Sequence, residues 1–425
     1  MTRKLKVAVI GLGYVGLPLA VEFSKKRKII GFDINKLRVK ELSSGLDLTN
    51  EVSTAELKKV KSKITYTTNI HDLQGANFFI ATVPTPINNS KNPDFSHLES
   101  ASKLIGGILK KGDIVVFEST VYPGATQEIC VPILETESGL KLDEDFSIGY
   151  SPERINPGDN LHKLPNIKKI TAGSNPQSAK IIDDLYSTII KAGTVPVSSI
   201  ETAEAAKVIE NTQRDLNIAL ANELSLIFQK MNIDTKEVID AAASKWNFSK
   251  FYPGLVGGHC IGVDPYYLTF KAKKLGYNPK VILSGRQLND SMSKNVVSQL
   301  CNTMRKKKIL LSKANILVLG FTFKENCPDT RNSKVYDLVA ELQRKKMNVH
   351  IYDPVLNQQN IQTQHPQFKF LKSPKIKFYD AIIVAVAHDN FKKLGPKKIK
   401  QYAKEKHILF DLKSLFSICD SDLRL

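Results

Sequence analysis

Val7-Ala-Val-Ile-Gly-Leu-Gly-Tyr-Val-Gly16 is the stretch that decides the fold of this chain. Its first four residues read as a buried strand, and the G-x-G-x-x-G that follows opens a helix. Gly11 permits the tight turn, Gly13 lets the backbone approach a pyrophosphate, and Gly16 lets helix and strand pack closely. Tyr14 and Val15 complete the loop, and the helix N-terminus behind it offers N–H groups and partial positive charge to phosphates. Asp33 ends the next strand, 22 residues after Gly11 and near the ~20 expected of a ribose-binding acid. An acid there accepts both ribose hydroxyls and repels a 2′-phosphate, so NAD is expected rather than NADP. Arg38 is near enough to lie over the adenine, or to be a surface arginine. The competing reading is a glycine turn that packs on its own helix, with Asp33 merely solvated.

Outward from this loop the chain alternates strands with helical or loop stretches. Strands are predicted at Ile29–Asp33, Phe78–Thr82, Ile114–Glu118 and Ser147–Tyr150, which implies a parallel, doubly wound sheet. The rhythm then breaks. From Ser199 to Met231 there is no glycine or proline, and alanine, leucine and isoleucine recur at helical spacing, with Ser199 as a capping residue. A second helix is expected over Ser284–Arg305. Strand–helix alternation resumes at Asn315–Gly320 and continues through Ser333–Arg344, Asn348–Tyr352, Tyr379–Ala385 and His407–Asp411. This half has Gly320 where the first has three glycines, so it should bind something other than a dinucleotide. The fold class is therefore α/β, with two Rossmann-like, doubly wound parallel-sheet domains joined by a long central helix. The boundaries expected are 1–198 for the NAD-binding domain, 199–305 for a central helical and dimerisation domain, and 306–425 for the second Rossmann-like domain.

Composition narrows the function classes. With 425 residues, 42% hydrophobic and 24% charged, the chain is long enough for several cores and ordinary for a globular protein. Its formal charge of +19 sits in short clusters such as Lys25–Lys28 and Arg305–Lys308, without any recognisable nucleic-acid module, so a solvated basic surface is expected. The five scattered cysteines contain no C-x-x-C pair, which argues against a disulfide framework or a zinc site and suits a reducing, cytoplasmic compartment. The basic start followed by apolar Val7–Val21 superficially resembles a secretory signal, but its glycines belong to the loop described above. No membrane insertion is expected.

The chemistry concentrates in Gly257-Gly-His-Cys-Ile-Gly-Val-Asp-Pro265. Cys260 stands among glycines that allow close approach by a ligand, with His259 beside it and Asp264 four residues on. A thiol in such a loop becomes a nucleophile where neighbouring charge lowers its pKa; the bland alternative is a buried cysteine in a tight turn. Lys207 and Asn211 are spaced i, i+4 on the long helix and share a face. Ser119 and Thr120, in Glu118-Ser-Thr-Val-Tyr-Pro-Gly124, follow a strand's C-terminal end, where open α/β sheets bind ligands. Glu153 and Arg154 do the same in Ser151-Pro-Glu-Arg-Ile-Asn-Pro-Gly158. A capping hydroxyl or a surface salt bridge would explain each singly.

These segments, with Val83-Pro-Thr-Pro86 around Thr85, Glu210-Asn-Thr-Gln-Arg214 and Phe323-Lys-Glu-Asn-Cys-Pro-Asp329, make the chain resemble the UDP-glucose/GDP-mannose dehydrogenase family over essentially its whole length. It is most similar to the branch that acts on UDP-N-acetylglucosamine or UDP-N-acetylgalactosamine in surface-polysaccharide synthesis. The long helix between two α/β units is expected to serve as hinge and dimer interface, which makes a homodimer the expected assembly. The resemblance implies oxidation of a UDP-activated amino sugar at C6 by four electrons, with two NAD⁺. It implies that Lys207 and Asp264 assist the first hydride transfer and that Cys260 attacks the aldehyde. Glu153 would then be general base for thioester hydrolysis, with Lys207 and Asn211 stabilising oxyanions. Thr120 joins the catalytic set, and Gly257 and His259 the substrate contacts. Lys324 would contact the UDP-sugar, and Arg331, Thr85 and Ser119 the cofactor. Pro157 replaces a second glutamate common in UDP-glucose enzymes, which fits the amino-sugar branch. Tyr252 replaces an arginine that reaches a neighbouring subunit's sugar. UDP-glucose and UDP-N-acetylmannosamine remain alternative substrates. A non-catalytic NAD- or UDP-sugar-responsive regulator and a basic nucleic-acid binder are the competing classes.

Overall fold

The computed structural model describes residues 4–49, 51–88, 90–155, 163–258 and 261–425. Pro157, His259 and Cys260 thus lie outside the described residues. The chain divides into two compact units, one of residues 1–210 with 266–277, the other of 211–265 with 278–425.

In the first unit, Val7–Ile10 forms β1, buried along its whole length. Ile29–Phe32 (β2) and Phe78–Ala81 (β4) flank it in parallel, with Val7 opposite both Ile29 and Phe78. Ile64–Thr67 (β3), Ile114–Phe117 (β5), Ser147–Tyr150 (β6), Lys169–Gly173 (β7) and Thr194–Pro196 (β8) complete a sheet of order β3-β2-β1-β4-β5-β6-β7-β8. The chain winds to one side from β1 and returns to the other at β4, so the crevice beyond β1 and β4 is the switch point where such sheets bind ligands. Every pair is parallel except β6–β7, which runs antiparallel through Gly149↔Gly173 and Tyr150↔Ala172. The helix Gly16–Ser24 packs Leu17, Ala20, Val21 and Phe23 into a core shared with Val7 and Val9. Burying each large side chain in such a core contributes roughly 1.5–3 kcal/mol.

The long helix spans Ile200–Met231, as its lack of breakers predicts. The Ser199 hydroxyl accepts the Thr202 N–H at 3.2 Å, the expected cap.

The second unit carries a five-stranded, all-parallel sheet of order β10-β9-β11-β12-β13: Asn315–Leu319 (β9), Asn348–Tyr352 (β10), Tyr379–Val384 (β11), Ala403–Asp411 (β12) and Leu423–Arg424 (β13). Ile316 and Val318 face one core while Leu317 and Leu319 face another, so β9 is apolar on both sides, as a covered parallel strand must be. The helix Lys280–Lys306 lays Met292, Val296, Leu300 and Met304 on the first of these cores.

Candidate functional site

The glycine loop of the first unit is shaped by contacts its sequence requires. Gly11 has φ +92°, a left-handed conformation, and its carbonyl accepts the Thr82 hydroxyl at 2.6 Å. A Cβ on Gly16 would stand 1.8 Å from the Gly11 oxygen, so helix and loop could not approach as they do. Gly13 is different, since none of the described residues lies within 4 Å of where its Cβ would be. No protein packing accounts for that glycine, and the open backbone face suits a pyrophosphate. Among the described residues no side chain caps the helix start at Val15, and Tyr14 lies in the same turn. Asp33 holds the loop from the next strand, accepting the Leu12 N–H on one oxygen at 2.9 Å and the Asn35 N–H on the other at 2.9 Å. Arg38 is buried. Its Nε donates to the Leu12 carbonyl at 2.9 Å and its guanidinium meets Asp47 at 2.8 Å, so it braces the loop instead of lying loose on the surface.

These residues fit NAD, whose bound form supplies a hydride acceptor. We expect kcat/KM with NAD to exceed that with NADP by about 10²-fold or more, the scale of several kcal/mol for juxtaposed like charges. Parallel initial-rate series with the two cofactors check this; equal values would mean that the Asp33 carboxylate does not meet the ribose.

At the C-terminal ends of β4 to β6 the remaining predicted residues of this unit come together. The Thr85 hydroxyl donates to the Thr120 carbonyl at 2.6 Å, and the Ser119 hydroxyl to the Val83 carbonyl at 2.6 Å. Tyr150 closes the group by donating to the Ser119 carbonyl at 3.0 Å. Glu153 is buried, with one oxygen accepting the N–H groups of Arg154 and Ile155 at 2.6 and 2.7 Å. Its other oxygen accepts Lys169 Nζ at 2.8 Å. Arg154 pairs with Glu210 at 2.5 Å, so the long helix is tied to the Glu153 loop. Lys207 is only 8% exposed on that helix.

Sequence reasoning missed Glu204, one turn before Lys207. It is fully buried and accepts Gly124 N–H at 2.5 Å and both the N–H and the hydroxyl of Thr126, at 3.0 and 2.5 Å. Burial pushes its carboxyl up to about 7 even against these three donors. It anchors the Lys207 turn to the loop that follows Thr120. An acid on an alanine-rich helix carries no sequence signal for this.

In the second unit Asn211 and Asp264 are brought together, the amide donating to the carboxylate at 2.5 Å. Gly257 and Gly258 press on the segment that carries Lys324 and Arg331. A Cβ on Gly257 would meet the Asn332 carbonyl at 2.5 Å, and one on Gly258 (φ +88°) the Phe323 ring at 2.7 Å. The chain leading into Cys260 and the Lys324 segment are therefore fitted to each other. Arg331 is half exposed, and its guanidinium forks onto Asp329 at 2.7–3.2 Å. Tyr252 donates to Asp240 at 2.5 Å.

The second unit also repeats the plan of the first. Gly320 (φ +91°) ends β9 as Gly11 ends β1, and Asp353 after β10 accepts the N–H groups of Phe321 and Thr322 at 2.7 and 3.2 Å, as Asp33 accepts Leu12. Buried His388 joins them. The Asn326 N–H donates to its Nδ1 at 2.9 Å, which leaves Nε2 to carry the proton toward Asp353, 3.2 Å away. With the Thr322 hydroxyl donating to the Lys324 carbonyl at 2.8 Å, the Lys324 loop is held at both ends.

A glycine turn held by a carboxylate thus follows the first strand of each sheet, Asp33 in one unit and Asp353 in the other, which is the arrangement of a nucleotide-binding α/β fold. Residues 5–190, 201–291 and 317–418 match, in order, the NAD binding, central and UDP binding domains of one family. The chain belongs to the UDP-glucose/GDP-mannose dehydrogenase family. It is 57% identical over 423 residues to the UDP-N-acetyl-D-glucosamine 6-dehydrogenase of Pseudomonas aeruginosa, covering 100% of both chains. The enzyme of the same name from Salmonella typhi is 54% identical, with 99% of each chain covered. Among solved structures, a UDP-D-ManNAc dehydrogenase from Pyrococcus horikoshii superposes with a TM-score of 0.87 at 31% identity, over 97% of this chain and 96% of that one. Among the described residues no helix is long and apolar enough to cross a membrane.

Proposed function

We propose that this protein oxidises the C6 alcohol of UDP-N-acetylglucosamine to the carboxylate, with two NAD⁺, to supply a surface-polysaccharide precursor. The observation that carries the choice of sugar is the 57% and 54% identity, over full length, to two UDP-N-acetyl-D-glucosamine 6-dehydrogenases. Identity to the UDP-D-ManNAc enzyme of known structure is 31%.

In this reading Asp264, oriented by Asn211, and Lys207 manage the proton of the C6 hydroxyl as its hydride leaves. The Cys260 thiolate then adds to the aldehyde carbon, so the reactive carbonyl stays bonded to the protein. The thiohemiacetal loses a second hydride and becomes a thioester. Water, giving its proton to Glu153, adds to the thioester carbonyl and expels the thiolate. The lysine ammonium at 207 stabilises the alkoxide charge that each step develops, an effect strengthened where water is excluded. Lys324 and Arg154 serve the UDP-sugar, and Arg331 the cofactor.

The three-part division at 198/199 and 305/306 belongs to the same proposal. So does a homodimer built on the long helix, where Leu220, Ile227 and Met231 are exposed along one face. A solution mass of one chain would remove the dimer.

A substrate series tests the sugar. UDP-N-acetylglucosamine should give the highest kcat/KM, with UDP-N-acetylgalactosamine, UDP-N-acetylmannosamine and UDP-glucose lower by about tenfold or more, the scale of a lost hydrogen bond or methylene-sized misfit. A preference for UDP-glucose would leave the family standing and overturn the proposed sugar.

A further inference from the structure

Three buried side chains have no place in the scheme above, yet they close on one that does. Lys169, the first residue of β7, is 2% exposed, and its Nζ donates to Glu118 at 2.6 Å and to Glu153 at 2.8 Å. Glu118, directly after β5, is equally buried, and its second oxygen accepts the hydroxyl of fully buried Tyr186. The ammonium also stands 5.6 Å from the centre of the Tyr186 ring. Burying three ionisable groups costs several kcal/mol per ion before pairing, more than packing alone would ask for.

The arrangement leaves Glu153 with one acceptor position. Of the roughly four lone-pair sites of a carboxylate, the Arg154 and Ile155 N–H groups fill two on one oxygen and Lys169 fills one on the other. Arg154, next in the chain, has its guanidinium turned to Glu210. We propose that Lys169 is a positioning residue, which aims the free lone pair of Glu153, with Glu118 as the counter-charge that shares the ammonium. This rests on the reading of Glu153 as base for thioester hydrolysis.

The charge arithmetic makes Glu118 necessary. Divided between two carboxylates, the ammonium holds Glu153 in place while Glu118 carries the second negative charge. Burial works to lower the Lys169 ammonium's affinity for its proton, and the two carboxylates more than offset that, so it stays charged. Burial pushes the Glu118 carboxyl up, and it pushes the Tyr186 hydroxyl well above its ordinary range, which keeps that hydroxyl a donor.

The test compares Glu118→Gln, Lys169→Met, Lys169→Arg and Glu153→Gln in the full chain with UDP-N-acetylglucosamine and NAD⁺. It follows the pH profile of thioester hydrolysis and the burst of first NADH. Removing the Glu118 charge should move the acid limb to lower pH, and removing the Lys169 charge should move it higher, each by about one unit or more. Lys169→Arg should restore the parent's limb, and the first-NADH burst should stay within about twofold in these three variants, since only hydrolysis uses Glu153. Opposite shifts are what a merely structural role would not produce. Limbs that stay put, or move together, overturn the inference. If Lys169→Met does not fold, Glu118→Gln and Lys169→Arg still decide it. An acid limb that survives Glu153→Gln removes the base assignment instead, and a parent that yields no NADH removes the functional reading and this inference with it.

Discussion

Cys260→Ala is expected to lower kcat for conversion of UDP-N-acetylglucosamine to its uronate by about 10⁴-fold or more, the scale seen when a covalent nucleophile is deleted. The reason is chemical. The second oxidation needs a tetrahedral carbon bearing hydrogen and oxygen, and the thiolate makes one without releasing the aldehyde. A thioester then offers water a carbonyl with a competent leaving group. Without the thiol, at most one NADH per sugar should form, and the aldehyde should be trappable in solution by a hydrazine. Steady-state rates with the parent and variant, beside product analysis, read both effects. A variant as fast as the parent would show that Cys260 is not the nucleophile.

Lys207→Met should be the next most damaging, with kcat down about 10²–10³-fold and KM changed far less. Methionine keeps the packing length on the helix and removes only the ammonium. The residue is nearly buried on a helix whose preceding turn is fixed by Glu204, so little of its position should change. A charge that matters only as alkoxide develops lowers kcat and kcat/KM together, whereas one used for ground-state binding raises KM. Separate kcat and KM values distinguish the two, and a pure KM effect would move Lys207 from catalysis to sugar binding.

The first unit was legible because its signals are local. Gly11 and Gly16 and five strand runs each report a backbone need, and the structure meets each one. The 32-residue helix was legible for the same reason, its lack of breakers. The strands that escaped are those whose sequences point elsewhere. Lys169–Gly173 opens with a second consecutive lysine and reads as a charged loop, because nothing local reveals that its ammonium is buried between two carboxylates. Thr194–Pro196 ends in proline, which only an edge strand tolerates. In the second half Gly320 and Asp353 reproduce the glycine–acid contact of the first, but they stand 33 residues apart rather than 22, so spacing gave no warning. Within the site, Asn211 and Asp264 were each expected and are paired. Glu204, Glu118 and Lys169 act through tertiary contacts 16 to 80 residues away, and no pattern along the chain encodes those.

One measurement bears on the whole scheme at once: the NADH formed from limiting UDP-N-acetylglucosamine with excess NAD⁺. Two NADH per sugar, with the uronate as sole product, is the expected yield of an alcohol carried to the acid on a single cysteine. One NADH per sugar, with aldehyde released, would contradict it, because oxidation would then stop before any thioester could form.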